Sequence, residues 1–273
     1  MILAQLTDMH IKDKGLLAYQ KVDTSAALEA ALAHLERQSC KIDVVLFTGD
    51  LVDSGRASEY ARLRVHLEAL NTPFFLMPGN HDDRTALRAA FPDHTYLGHE
   101  DEPVYYTIEQ YPLRIIALDS LMPGRGEGQL GTLQLNWLAE RLAEQPNRPT
   151  LVAVHHPPFP TFIGHMDRLG LTDSATFEDI ITRHKQVERV ISGHIHRPIF
   201  TRWAGGIAST APSTAHQVAL DLRADASSAF MLEPAGYQLH HFTRATGVTT
   251  HTALVGNWPG PFPFFDSEGR LIE

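Results

Sequence analysis

The chain has 273 residues, 43% hydrophobic and 20% charged, the composition of a globular protein able to bury a large core. Its net charge of −9 excludes the basic surface that non-specific binding to long nucleic acid or to an anionic membrane face requires. A single cysteine, Cys40, excludes an intrachain disulfide. The run "ILAQLT" after Met1 is too short for a signal h-region or a membrane span, so a cytoplasmic protein is expected.

In chain order, 2–7 reads as a buried strand. Over 23–38, Leu28, Leu32 and Leu35 share one helical face, and 42–48 ("IDVVLFT") is again a buried strand. Tyr60, Leu63, Leu67 and Leu70 have helical spacing, followed by the strand 73–77 ("PFFLM"). Next come a strand at 113–119, a helix over 132–144 carrying Leu135, Leu138 and Leu142, and a strand at 150–155. A helix over 177–186 and a strand at 187–192 complete the alternation. After about residue 198 only short β-type runs remain, among them "IFTRWA", "HQVALDL", "AFMLE", "GYQLHHFT" and "GVTTHTALV". No repeat, low-complexity tract or linker interrupts the pattern. One domain over 1–273 is expected, an α/β core joined by a more antiparallel sheet.

The unusual residues sit just beyond the apolar runs. Asp8 and His10 follow "QLT", Asp50 follows "VVLFTG", and Asn80 and His81 follow "FFLMPG". His155 and His156 follow "LVAV", while His194 and His196 follow "RVISG". In open α/β sheets ligands bind beyond the carboxyl ends of strands, so these clusters should converge. Asp, Asn and imidazole are oxygen and nitrogen donors suited to Mn, Fe, Zn or Co, and no thiolate is offered. Seven such donors are too many for one ion and enough for two if one carboxylate bridges, as in the two-metal clamp used at phosphorus. A cap or turn explains Asp8 or Asp50 alone as well as a ligand does. It does not explain the paired histidines at 194 and 196, which share one face of an extended segment.

The ordered set D-x-H, G-D, G-N-H-D, H-H-P-P and G-H-x-H resembles the calcineurin-like metallophosphoesterases. It is closest to their class III cyclic-nucleotide phosphodiesterase and glycerophosphodiesterase branch, which "TAPSTAHQV" (210–218) also resembles. The resemblance implies a four-layer α-β-β-α sandwich with two facing mixed sheets. It further implies that Asp8, His10 and His196 hold one metal, that Asn80, His155 and His194 hold the other, and that Asp50 bridges them. A hydroxide between the metals would attack phosphorus, with His81 near the leaving group as proton donor or electrostatic stabiliser. Asn80, His81 and His216 would lie near the substrate, although a lone His before a strand is more often structural. His156 should face away from the ligands, in a supporting or solvent-facing role.

The phosphate ester can be narrowed. In the Ser/Thr protein phosphatases of this superfamily the second motif reads G-D-x-x-D-R-G, whose arginine grips the extra charge of a monoester. Here "GDLVDSG" places Ser54 there, with Arg56 displaced by two residues and Asp53 a candidate to orient His81. A singly charged diester such as 3′,5′-cyclic AMP or a glycerophosphodiester is the expected substrate. A promiscuous monoesterase or nuclease-like enzyme is the alternative, and a non-catalytic scaffold is disfavoured because every ligand position is filled. Loops 123–131 and 159–174 are candidate pocket walls. The tail "NWPGPFPFFD" (257–266), too proline-rich for a helix or central strand, needs cover for its rings. Similarity to the diesterase branch points to a homo-oligomer with contacts from about residue 216 onward.

Overall fold

The computed structural model describes residues 1–99 and 102–273. Its first half runs β1 (Ile2–Leu6), α1 (Thr24–Glu36), β2 (Val44–Thr48), α2 (Ala57–Leu67), β3 (Phe74–Met77), α3 (Arg84–Ala90), β4 (Tyr106–Ile108) and β5 (Arg114–Leu118). Then come α4 (Gly131–Glu144), β6 (Thr150–Val154), α5 (Gly164–Asp167), α6 (Ser174–Arg183) and β7 (Val187–Ser192). The remainder is β8 (Ile199–Trp203), β9 (Gly206–Thr210), β10 (Gln217–Val218), β11 (Phe230–Met231), β12 (Gly236–Thr243) and β13 (Gly247–Leu254).

Two mixed sheets result. The first has the order β13-β12-β1-β2-β3, with β1, β2 and β3 parallel and the late strands β12 and β13 added antiparallel at one side. The second has the order β4-β5-β6-β7-β9-β8, parallel through its centre with antiparallel edges. Successive side chains of a strand point to opposite faces, and both faces of the central strands are buried. Ile115, Ala117, Leu151, Ala153 and Ile191 join the core that holds Leu3 and the apolar sides of α1 and α2. Their alternates Ile116, Leu118, Val152, Val154 and Val190 pack instead on Leu135 and Leu138 of α4 and Phe177 of α6. Helices therefore cover the outer face of each sheet, the four layers that the resemblance implied.

A thin polar seam ties the sheets together. Gln5 of β1 donates from Nε2 to Ser192 O of β7 at 2.9 Å and to Thr48 Oγ1 at 3.0 Å. Its Oε1 lies 3.0 Å from Nε2 of His240 in β12, whose Nδ1 is 2.8 Å from Thr250 Oγ1. Gln238 donates to Thr210 O of β9 at 3.0 Å. Buried polar groups satisfied in this way fix one arrangement where apolar packing alone would tolerate several.

Several local outcomes differ from the sequence expectation. The helix α3 was not anticipated, because only Leu87 of it is buried and its start depends on Asp83, which accepts from Ala86 N at 2.8 Å. The runs "HQVALDL" and "AFMLE" shrink to the two-residue strands β10 and β11, which pair with each other and with neither large sheet. The tail beyond Gly256 forms no strand or helix, as its prolines imply, but its rings are not covered by the chain itself, with Phe262 and Phe264 76% and 79% exposed.

Candidate metal centre

The carboxyl ends of β1, β2, β3, β6 and β7 meet at one place and bring Asp8, His10, Asp50, Asn80, His155, His194 and His196 together. Donor atoms of Asp8, His10, Asp50 and His196 all lie within 4.8 Å of one another. In this group His10 Nε2 is 3.2 Å from His196 Nε2, and His196 Nε2 is 3.4 Å from Asp8 Oδ1. A second group centres on Asn80 Oδ1, 3.2 Å from His155 Nε2 and 3.0 Å from His194 Nδ1. Asp50 stands between the two: its Oδ2 is 3.6 Å from His10 Nε2 and 3.4 Å from His155 Nε2.

Backbone conformation makes the convergence possible. Asp8, His10, Asp50, His194 and His196 have φ of 54°, 47°, 48°, 68° and 56°, a left-handed conformation that non-glycine residues rarely adopt. The chain turns sharply off each strand and throws the side chain inward. The motif glycines answer to close approach: a Cβ on Gly79 would collide with Asp50 Oδ1, and one on Gly193 with Thr7 Oγ1.

The donor set fits divalent cations. His155 Nδ1 is 2.8 Å from Thr48 O and His196 Nδ1 is 2.9 Å from His216 O. Each backbone carbonyl holds the proton on Nδ1 and leaves Nε2 bare toward the cluster, the orientation usual for metal-binding imidazoles. His10 Nδ1 lies 3.4 Å from Asp53 Oδ1, an ion-pair contact, and both this atom and His194 Nε2 are buried without a hydrogen-bond partner. Bare nitrogens facing one another at about 3 Å repel unless a proton or cation lies between them.

The electrostatics show the same conflict. Burial, and then its histidine neighbours, pushes His196 down to about 3 and holds His194 well below the ordinary range. Burial opposes a charge on His155 too, but the facing Asp50 overcomes it and raises His155 to about 9. Desolvation alone would raise Asp50, yet His155, His81 and His10 hold it well below the usual carboxylate range. Desolvation lifts Asp8 to about 6. A bound cation would favour ionised carboxylates and neutral imidazoles together and so relieve these opposing demands.

His81 lies on the cavity wall, not among the donors. Its Nδ1 is 2.8 Å from Asp53 O, its ring meets His10 edge-on at 4.6 Å, and its backbone N donates to Asp50 Oδ1 at 2.9 Å. Asp53 thus orients His81 through its backbone carbonyl; its carboxylate serves Lys12 and His10 instead. His156 does not face solvent. It is fully buried, with Nδ1 2.7 Å from Ser120 Oγ and Nε2 3.1 Å from Gly126 O, and its ring packs 4.5 Å from that of His194. His216 is brought close, its ring 4.7 Å from His196 and 5.5 Å from His10. Arg56 turns away to Asp13 at the surface.

The cavity over the cluster is about 400 Å³ and is lined by His10, Asp50, Asn80, His81, His194, His196 and His216, with Tyr19, Val218, Phe230, His165, Met166 and Leu169 on its remaining sides. Loop 159–174 therefore reaches the cavity, whereas loop 123–131 packs behind it, Gly128 pairing with Leu171. Sequence reasoning passed over two contributors. Asp82 accepts from the backbone N of Leu51, Val52 and Gly79 and from the Tyr60 hydroxyl, locking the loops after β2 and β3 together. The D of G-N-H-D marked that residue without showing its partners. Tyr19 carried no signal at all.

Two sheets between helical layers, with an Asp/Asn/His cluster at their parallel strand ends, define a class of phosphate-ester hydrolases. The profile of the calcineurin-like phosphoesterases matches residues 1–198, and the chain belongs to that family. Across its whole length it is 40% identical over 274 residues to the whole of the probable glycerophosphodiester phosphodiesterase GpdQ of Arcobacter nitrofigilis. It is 28% identical over 215 residues to the 3′,5′-cyclic adenosine monophosphate phosphodiesterase CpdA of Escherichia coli K12, covering 79% of this chain and 76% of that protein. Among solved structures, a dimetal phosphatase from Danio rerio shares the fold with a TM-score of 0.64 at 14% identity, over 94% of this chain and 99% of that one.

Proposed function

We propose that the chain hydrolyses small phosphodiesters, 3′,5′-cyclic AMP or glycerophosphodiesters, at a two-metal centre. The observation that carries this is the position of Asp50 between two donor groups beneath a cavity that no arginine or lysine lines among the described residues. A monoester dianion would find no cation of the protein for its second charge, whereas a monoanionic diester needs none. Asp8, His10 and His196 would hold one ion and Asn80, His155 and His194 the other, with Asp50 placed to serve both. Two ions held there would supply a nucleophile at neutral pH and neutralise charge developing on the phosphoryl oxygens. His81, kept in one orientation by Asp53 O, leaves Nε2 to face the leaving oxygen, to which its imidazolium form donates. Asn80 and His216 flank the phosphate. The names of relatives for both a glycerophosphodiester and a cyclic nucleotide phosphodiesterase support the substrate class.

Metal analysis combined with a panel of cyclic AMP, cyclic GMP, glycerophosphoethanolamine and bis(p-nitrophenyl) phosphate tests this. Two transition ions per chain, iron or manganese ahead of zinc and cobalt, and faster turnover of diesters than of p-nitrophenyl phosphate are expected. A faster monoesterase, or activity that survives complete metal removal, refutes it.

Two further readings belong with this one. The exposed rings of Trp258, Phe262, Phe264 and Phe265 and the exposed Leu220, Leu222 and Leu232 support a homo-oligomer with contacts from about residue 216 onward, since large exposed apolar surface marks interfaces. Cytoplasmic residence fits a chain with one cysteine. No helix among the described residues is long and apolar enough to cross a membrane.

A further inference from the structure

Tyr19 occupies a costly conformation. Residues 18–21 close a tight turn through Lys21 N and Ala18 O at 3.0 Å, and Ala18 and Val22 exchange a further pair of backbone bonds. The two central residues, Tyr19 and Gln20, have φ of 50° and 58°. That is the pattern of a type I′ turn, whose central positions favour Asn and Gly. A tyrosine held there is strained, and strained residues persist mainly where the surrounding structure or the function demands them.

What the turn achieves is placement of a ring. Tyr19 meets His216 edge-on at 5.3 Å and lies 5.0 Å from Phe230 at an interplanar angle of 31°, while Phe230 meets His216 edge-on at 5.4 Å. His216 in turn packs on His10 and His196, so an aromatic wall rises directly from the donor cluster. Tyr19 remains 53% exposed. With Phe230, Val218, Met166 and Leu169 it gives the lining of the cavity an apolar part beside the polar Asp50, Asn80 and His81. Burial, and then the carboxylates of Asp53, Asp50 and Asp8, raises the phenol's pKa, so this wall is uncharged at neutral pH. The cavity thus matches a molecule with an anion at one end and a flat, neutral group at the other.

We propose that Tyr19, together with Phe230, is the specificity wall of this site. It receives the flat, uncharged ring of one ester group, a nucleobase or an aryl group, and favours ring-bearing diesters over diesters of glycerol alone. The proposal rests on the diesterase reading of the metal centre.

The test is the ratio of kcat/KM for cyclic AMP and bis(p-nitrophenyl) phosphate to that for glycerophosphoethanolamine, measured on the full-length, metal-loaded protein. Tyr19→Gly removes the ring and suits the left-handed turn, so the fold is kept. The ratio should fall about tenfold or more through KM, the scale of one base-on-ring stacking contact. Tyr19→Phe should hold the ratio within about twofold of wild type, because the hydroxyl is not what the wall offers. Phe230→Leu, on a different element, should shift the ratio in the same direction as Tyr19→Gly. Equal losses on all three substrates would mean that Tyr19 only supports the site, and a Tyr19→Phe loss as deep as that of Tyr19→Gly would assign the effect to the hydroxyl. Either result overturns the proposal. A wild-type protein that hydrolyses none of the diesters would instead defeat the diesterase reading, and the wall would fall with it.

Discussion

His240 makes the stability of the sandwich depend on pH in a way that one substitution can isolate. It is fully buried in β12, in the seam between the sheets, and both ring nitrogens are engaged by neutral partners, Gln5 Oε1 and Thr250 Oγ1. Gln5 spends its two amide protons on Thr48 and Ser192, so its Oε1 accepts from Nε2–H of His240, and the Thr250 hydroxyl donates to Nδ1. A second ring proton would point at that hydroxyl in a site with no carboxylate partner. Burial, and then the nearby Arg189, accordingly pushes His240 from its ordinary 6.5 down to about 3. In the unfolded chain the same imidazole takes a proton below 6.5, so its contribution to stability is complete above that pH and is lost as the pH falls toward 3. Between pH 7 and pH 5 the loss is about 2 kcal/mol, at roughly 1.4 kcal/mol per pH unit once below 6.5. For a chain of this size that corresponds to roughly 3–4 °C in Tm.

The assay is thermal unfolding of wild type and His240→Gln at both pH values. His240→Gln should melt lower at pH 7, having lost packing and one hydrogen bond, but should lose less on acidification by that same roughly 3–4 °C. Other histidines and any metal release contribute to both proteins and cancel in the difference. Parallel Tm curves would show that His240 titrates normally in the fold and would refute the reasoning.

At the metal centre, Asp50→Ala removes a carboxylate within reach of both donor groups, so metal content and turnover should fall together; elemental analysis showing two ions per chain with near-normal turnover would contradict the bridge. His81→Ala should leave the ions in place and slow turnover by about 10²–10⁴-fold if His81 donates the leaving-group proton. That loss should shrink for p-nitrophenyl esters, and equal losses for alkyl and p-nitrophenyl leaving groups would leave His81 a purely electrostatic role. Truncation before Asn257 should lower the assembly state in light scattering while metal content is retained, and a full-length protein that is monomeric at micromolar concentration would place the aromatic tail on its own chain.

The site was legible because its residues follow buried strands whose apolar runs are unambiguous. "VVLFT" before Gly49-Asp50 and "LVAV" before His155 locate strand ends to within a residue or two, and parallel strands gather their ends on one side. What the sequence concealed depends on pairings between distant segments. Asp53 is a case: adjacency in the motif suggested a carboxylate turned to His81, but the folded loop presents its carbonyl there and gives the carboxylate to Lys12 and His10. Tyr19 was invisible for a related reason, since its importance lies in a turn conformation disfavoured by its residue type. The short helix α3, with only Leu87 buried, has too few buried positions to display a period.

The distribution of strain also bears on whether the chain or the metals shape the centre. Five of the proposed ligands occupy left-handed backbone conformations, each costing about 1 kcal/mol or more; together that approaches the whole net stability of a typical domain. Bonds within the chain offset part of this cost. Asp8 accepts from His194 N with both oxygens at 3.1 Å, Ser213 Oγ donates to Asp8 O at 2.8 Å, and Asp50 accepts from His81 N. Asp82 binds three backbone N–H groups and the Tyr60 hydroxyl behind them. None of these partners is a side-chain donor of the cluster. The loops are therefore held in their strained shape by amides, hydroxyls and Asp82 on the protein side, while His10 Nε2, His155 Nε2, His194 Nδ1 and His196 Nε2 face one another and Asn80 Oδ1. Ions bound on the cavity side would add to the stability of this scaffold by mass action on the folded chain.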